Sequence, residues 1–442
     1  MDPIKATFHL RELFHPLGGI SFDSNWIRPY GDEPRFVTRT MMLQPPFARR
    51  RVSAADQQPS GMRLTASGTD LDESGAEIAA LGEALERLCS GSHQEEQFVT
   101  ASANELGAGA LNLDTIPRCS EKELAHPACP LALPQKDQPI RWVRAISLLD
   151  GEIVFVPAVM SFLYLRYSNP GERICLPIST GCAAHITLEK AILSGILEVV
   201  ERDAISITWL QKLSLPQIDF DEIPEKLAPY WSVLNRGSRL IQPLFFDATT
   251  DVGFPTVYGV QVCPANPQAT TLISCSTALD PAEAVAKVIR DMAHIRVAFR
   301  SRHPIPERWD DFTDIFHGAT FMARREQAHA FNFLLQSRAT RKLSDLCKTA
   351  AVWQGNDRKK LDAVVQRLRS MRLNTYVVEL STDEALRAGM RVVRVIIPGL
   401  QPLSLHYRAR FLGHDRLYQC PRAMGYQVHS EADLNHWPQP FA

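Results

Sequence analysis

The sequence predicts an α+β fold of mixed α/β character, and three observations carry that expectation. Apolar residues recur at spacings of three and four from Ala76 onward, over residues 188–210 and over residues 281–299, the pattern of one buried helix face. Runs of strand length, rich in β-branched and aromatic residues, stand between and after them at 140–159, 240–246, 256–262, 375–380 and 392–397. The order of these elements is irregular, which argues against a simple parallel wound sheet.

Taken along the chain, residues 1–60 read as an irregular arm or partial subdomain, with turn signals at Pro16-Leu17-Gly18-Gly19 and Pro45-Pro46 and an Arg-rich stretch leading to Ser60-Gly61. Residues 61–442 read as the main domain. Its first helix carries Ile78, Leu81, Leu85 and Leu88. Residues 105–140, punctuated by Gly and Pro, read as a loop-rich excursion. Two strands follow around Asp150-Gly151, then the helix over 188–210, strands over 240–246 and 256–262, and the helix over 281–299. A helix over 359–371 and strands over 375–380 and 392–397 complete the series. No short repeat and no low-complexity tract interrupts it.

At 442 residues, with 45% hydrophobic and 22% charged side chains, the chain has the make-up of a globular enzyme. A formal net charge of -1 gives no overall field to draw nucleic acid or an anionic membrane. Arg49, Arg50 and Arg51 read as a solvated loop. Nine cysteines, an odd number without a CxxC pair, read as reduced and mostly buried thiols rather than disulfides or a zinc ribbon. Residues 1–11 lack the apolar core of a signal peptide. The most apolar stretch, 145–165, is broken by Asp150, Glu152 and Pro157, short of a membrane span. A cytoplasmic protein is the expectation.

Three helices share a pairing of polar residues three apart: Glu83 with Glu86, Glu198 with Glu201, and Asp291 with His294. Residues three apart share a helix face, so each pair can converge on one point. The second helix is the informative one. Ile192, Leu193, Ile196, Leu197, Val199 and Val200 cover more than half of it, and small residues (Thr187, Ala191, Ser194, Gly195) share the remaining arc with the glutamates. A helix this apolar is buried, and bare carboxylates there are costly unless paired, protonated or bound to metal. Oxygen ligands without Cys or His clusters favour a hard cation such as Mg²⁺. An ExxER on a helix is also a common surface or Arg–Glu pair, and spacing leaves both readings open.

Around these helices the sequence resembles the YcaO family. The match lies in Ser179-Thr180-Gly181-Cys182-Ala183-Ala184 followed by Leu188 to Leu193 and Glu198, Glu201-Arg202-Asp203-Ala204, and in Ser67-Gly68 followed by Ala79 to Arg87. Ile207-Thr208-Trp209-Leu210 and the run from Val392 to Pro402 resemble the branch that forms thiazole and oxazole rings. The resemblance covers roughly residues 60–442. It implies a composite YcaO-type fold with an ATP pocket between helices and sheet. Glu83, Glu86, Glu198 and Glu201 would hold Mg²⁺. Arg202 and Arg296 would reach phosphate oxygens, and Ser67, Lys190, Asp291 and His294 would complete the nucleotide site. It further implies a ribosomal precursor peptide as substrate, whose Cys, Ser or Thr residues become azolines. The implied partners are a leader-binding partner protein, sometimes an FMN dehydrogenase, and a second copy in a homodimer.

The C-terminal residues Trp437-Pro438-Gln439-Pro440-Phe441-Ala442 are similar to the branch's alternating-proline tail, which implies catalytic positions at Pro438, Pro440 and Ala442. This chain departs from the family at Thr69, Ile186, Lys190, Asp291 and His294. Those departures leave two alternatives: a scaffold that binds peptide without turning over ATP, and a YcaO enzyme that makes a thioamide or amidine.

Overall fold

A computed structural model of the chain describes residues 3–441 apart from 16, 18, 32, 44–63, 238 and 302. In chain order the elements used below are α1 (Pro3–Leu13), β1 (Ser21–Ile27), β2 (Val37–Leu43), β3 (Leu64–Asp70), α2 (Glu73–Gly91), β4 (Val99–Ala101), β5 (Ile140–Ser147), β6 (Ile153–Pro157), β7 (Cys182–His185), α3 (Leu188–Leu210), β8 (Gln217–Asp219), β9 (Gln242–Asp247), β10 (Thr256–Val262), β11 (Thr271–Thr277), α4 (Pro281–Ala298), β12 (Thr340–Lys342), α5 (Asp357–Ser370), β13 (Tyr376–Glu379), β14 (Arg391–Ile396) and α6 (Arg416–Ala423). Among the described residues the strands form three sheets. One is β1-β2-β3, one is β11-β10-β9-β8-β12, and the third runs β4-β5-β13-β14-β7 with β6 beside β5. This is the mixed α+β architecture expected.

The three long helices start where side chains satisfy their free N–H groups. Asp72 accepts from Gly75 N at α2, Thr187 from Lys190 N at α3, and Asp280 from Ala282 N at α4, where Pro281 fills the first turn. Helix α3 is apolar nearly all round because it lies between layers. Its first half, with Ile192, Ile196 and Val200, packs with Leu361, Val364 and Leu368 of α5 and with Val393 and Val395 of β14. Its second half, with Ile205, Ile207 and Trp209, joins Phe246, Tyr258 and Ile273 of the second sheet.

Residues 1–60 were expected to be irregular; of these, the described residues 3–43 instead form α1, β1 and β2. Helix α1 packs on α2, and β1 and β2 extend β3 into an antiparallel sheet in which Thr40 pairs with Ser67 and Arg39 with Gly68. Strand β2 pairs with β1 across residues 28–36 and with β3 across residues 44–63, so no two-residue hairpin turn marks it. Pro45-Pro46, the Arg49–Arg51 run and Ser60-Gly61 lie outside the described residues. Gly68 is demanded by closeness: a Cβ there would lie 2.1 Å from Ala76 O and 2.4 Å from Ala80 N, so β3 rests directly on the α2 backbone. Strands β7 and β11 were not anticipated. All of β11 is buried, and such a short continuous run carries no alternation to identify it.

One buried ion pair fixes the C-terminal half of α3. Asp203, wholly buried, accepts from Arg416 Nε and Nη2 at 3.0 and 2.7 Å and from Gln401 N at 2.8 Å. Arg416 also reaches Asp251 at 2.7 Å. Removing one member strands a buried charge. Asp203→Ala is expected to cost about 3 kcal/mol, read as a lower urea midpoint by the fluorescence of buried Trp209. An unchanged midpoint would show that Asp251 alone satisfies Arg416.

Candidate nucleotide and metal site

Helices α2, α3 and α4 bring their polar faces together beside β3 and β14. On α2, Glu83 accepts from Ser67 N at 2.8 Å and from Arg87 Nη2 at 2.9 Å. Arg87 Nη1 lies 3.5 Å from Glu86. On α3, Glu198 accepts from Arg202 Nη2 and from Gly181 N, both at 3.2 Å. Glu201 pairs with Arg202 Nη1 and accepts from Thr277 N at 3.0 Å and Lys287 Nζ at 3.4 Å. On α4, His294 lies between Ser67 Oγ (3.3 Å from Nε2) and Thr69 Oγ1 (3.1 Å from Nδ1). The turn before β7 closes this arrangement. Gly181 has φ +87°, and a Cβ there would meet Val395 O at 2.3 Å, so only glycine lets its N–H reach Glu198.

The electrostatics show that the helices' carboxylates feel one another. Burial pushes the Glu86 carboxyl well above the usual range; Arg87 opposes this, while Glu198 and Glu83 add to it. Burial likewise raises Asp291, with Lys287 opposing and Glu201 reinforcing. Burial works against the charge of Arg202, but Glu201 and Glu198 outweigh it and hold the guanidinium protonated. The Glu201 side chain is 4% exposed, against 22% for Glu198 and 44% for Lys287, so the cluster grades from interior to solvent. Two thiols border it. Cys182 lies 3.3 Å from Arg394 Nη1, and burial pushes both Cys182 and Cys275 up.

Most of the residues anticipated from sequence meet here: Ser67, Glu83, Glu86, Glu198, Glu201, Arg202, Asp291 and His294. Arg296 does not. It is buried on another side of α4, donating to Gln261 Oε1 at 2.9 Å. Two residues along a helix is about 200° of rotation, so Arg296 cannot share the face of His294. Lys190 is exposed in the first turn of α3, where its charge and, more strongly, burial push His185 down to about 4. Pro438 and Pro440 are buried, and Phe441 packs with its ring centroid 5.0 Å from the Arg202 guanidinium. Ala442 lies outside the described residues. Residues not anticipated are Arg87, Lys287, Arg394 and Phe441. Lys287 stands four before Asp291, a same-face spacing that marks it. Arg394, on strand β14, carries no such local mark, and its charge acts on Glu86.

Among the described residues no three carboxylates, imidazoles or thiols stand close enough to hold a metal together, because each glutamate is turned to an arginine or lysine. The donor set nevertheless suits a hard cation carried by a phosphate: all-oxygen ligands, and basic side chains able to turn from carboxylate to phosphate.

Near neutral pH the ionisation of Glu86 opposes folding. Its contribution is stabilising below the ordinary Glu pKa of about 4.3 and is lost as pH rises through the raised value. Glu86→Gln is therefore expected to raise the thermal midpoint at about pH 8 and to lose that advantage toward about pH 5. A lower midpoint at the alkaline end would mean that the contact with Arg87 outweighs burial.

A family model described as YcaO cyclodehydratase, ATP- and Mg²⁺-binding, matches residues 67–401. An uncharacterized protein of the tfuA 3′ region of Rhizobium leguminosarum bv. trifolii is 25% identical over 359 residues, 76% of either chain. A solved heterocyclase in complex with substrate and cofactor is similar with a TM-score of 0.77 at 21% identity, over 100% of this chain and 57% of that one. The chain thus spans little more than half of that heterocyclase. YcaO from Methanopyrus kandleri, bound with AMPPCP and Mg²⁺, gives a TM-score of 0.65 at 18% identity over 91% of this chain and 92% of the other. No helix among the described residues is long and apolar enough to cross a membrane.

Proposed function

The chain belongs to the YcaO family of ATP- and Mg²⁺-binding cyclodehydratases, and from that premise we propose that it is the ATP-dependent component that activates backbone amides of a ribosomally made peptide to form azolines. The observation that carries this reading is the meeting of Glu83, Glu86, Glu198 and Glu201 from two helices, each already balanced by a basic side chain. In this reading the four glutamates hold Mg²⁺, while Arg202 and Lys287 turn toward phosphate oxygens. ATP supplies the phosphoryl group that takes up the amide oxygen, and Mg²⁺ neutralises its charge.

The chain's own residues then have separable tasks. Ser67 and His294 line the end of the site formed by β3 and α4. Lys190 stands about 12 Å before Glu198 on the same ridge of α3, placed to meet the nucleotide away from Arg202. Phe441 limits the positions open to the Arg202 side chain, and the buried Pro438–Pro440 segment holds Phe441 there. In the substrate, a Cys, Ser or Thr side chain attacks the preceding carbonyl carbon, and the oxyanion so formed is phosphorylated and leaves as phosphate. The nucleophile and the amide nitrogen each give up a proton, so the C–S or C–O ring bond and a C=N bond take the place of the carbonyl oxygen that leaves on phosphate, and the peptide is lighter by one water. Cationic side chains drawn to the developing oxyanion stabilise its charge and lower the barrier. That the similar heterocyclase was solved with a substrate as well as a cofactor supports a second ligand beside the nucleotide. A leader-binding partner protein, an FMN dehydrogenase and a second copy of the chain belong to this proposal as its expected company.

Calorimetric titration of the purified protein with ATP, with and without Mg²⁺, tests the reading. Mg²⁺-dependent binding is expected, and a Glu198→Gln/Glu201→Gln variant is expected to lose it while remaining folded by circular dichroism. Binding that is indifferent to Mg²⁺ or to these substitutions would refute the assignment. No binding by the intact protein would favour a scaffold that holds peptide without using ATP.

A further inference from the structure

An apolar cavity of about 100 Å³ lies directly against the carboxylate cluster. Ile178, Val199, Leu403 and Phe411 are among its walls, and Arg202 and Arg394 also line it. These two arginines belong to both spaces. Arg202 holds Glu198 and Glu201, and the charge of Arg394 acts on Glu86. A group seated in the cavity therefore has hydrocarbon on one side and two guanidinium groups on the other.

The polar atoms of the lining narrow the occupant. Thr180 Oγ1, Arg394 Nε and Gln401 Oε1 are buried without a hydrogen-bond partner among the described residues, and all three residues line the cavity. They offer one donor, one acceptor and one hydroxyl that is both. A peptide unit, with one carbonyl and one N–H, is their complement. A single water needs only about 10–15 Å³, so the space exceeds what hydration of these atoms requires, and its hydrocarbon walls hold water poorly.

We infer that this cavity seats the apolar side chain of the substrate residue whose backbone carbonyl is activated, with that carbonyl directed to Arg202 and Arg394. The inference rests on the function proposed above and names its specificity pocket. Connectivity selects this residue over its neighbour. The side chain branches one bond from the carbonyl carbon, so a carbonyl at the arginines leaves it at the cavity mouth. The nucleophilic side chain of the next residue must instead fold back on that carbon and cannot also fill a pocket. The enzyme would accordingly favour Leu-, Ile- or Phe-sized residues before the cyclised Cys, Ser or Thr and reject charged ones.

The test uses the full chain and a blocked tripeptide, Ac-Xaa-Cys-Gly-NH2, with photo-leucine as Xaa, in the presence of Mg²⁺ and a non-hydrolysable ATP analogue. Irradiation and peptide mapping are expected to place adducts on the segments holding Ile178, Val199 or Leu403. Unlabelled Ac-Leu-Cys-Gly-NH2 is expected to suppress them at about tenfold lower concentration than Ac-Asp-Cys-Gly-NH2, the scale of discrimination an apolar pocket gives. Leu403→Trp, which fills the cavity, is expected to lower adduct yield about tenfold while ATP binding by calorimetry is kept. Adducts elsewhere, equal suppression by the Leu and Asp peptides, or displacement of the label by the nucleotide would each overturn the inference. If Leu403→Trp fails to fold, the wild-type map and the competition still decide. Cavity adducts in a protein that binds no ATP would refute the nucleotide reading and leave the cavity assigned to peptide.

Discussion

The charges of Asp203 and Arg416 are both removed from water, and they are tolerable there because each holds the other. Much of the site depends on that pair. Successive helical residues are turned about 100° from one another, so with Asp203 locked inward to Arg416 and Gln401 N, Glu201 and Arg202 must face the neighbouring helices. The same contact fixes the start of the segment after β14, which supplies Gln401 and Leu403 to the cavity wall. The Glu-Arg-Asp run thus works as a rotational key for α3: one charge sets the angle and the two before it are aimed into the carboxylate cluster.

The cluster beyond is a balance of opposite charges held ready for exchange. Glu83, Glu86, Glu198 and Glu201 pair with Arg87, Arg202 and Lys287, and Asp291 and Arg394 act on them through their charges. Carboxylates brought together by three separate helices repel, and basic side chains within one turn allow the fold to close over them. Arrival of a divalent cation with a polyphosphate adds charge of both signs, so pairings can be exchanged while the total changes little. Keeping the basic groups beside the acids in the free protein means that little reorganisation of backbone is needed for binding.

Much of this was legible in the sequence, for identifiable reasons. The helices α3 and α4 carry long apolar stripes and their own caps, so their extent and their polar faces could be read directly. The strands within residues 3–43 were not legible, because β1 pairs only with β2 and β2 joins β3 across residues 44–63, with no tight-turn signal at either connection. Arg296 was assigned to the site on the family resemblance, although helical rotation sets it on the opposite side of α4 from His294. Lys287 was overlooked even though the same rotation places it with Asp291. Arg394 illustrates a different limit: a strand residue's partners lie on other strands and helices, and no spacing within the strand announces them.

The buried thiols around the site bear on selectivity. Cys175, in the cavity wall, is pushed up to about 12 and Cys89, on α2, to about 11, in each case chiefly by burial; Cys182 and Cys275 are raised by the same cause. At physiological pH these sulfurs stay protonated, and a protonated thiol is a poor nucleophile. On the function proposed above, a catalyst that makes amide carbonyls electrophilic beside its own cysteines would otherwise expose itself to attack from within. Withholding water from its own sulfurs would leave the solvated thiol of a substrate peptide as the reactive one, so that in this reading chemoselectivity follows from where the protein is dry.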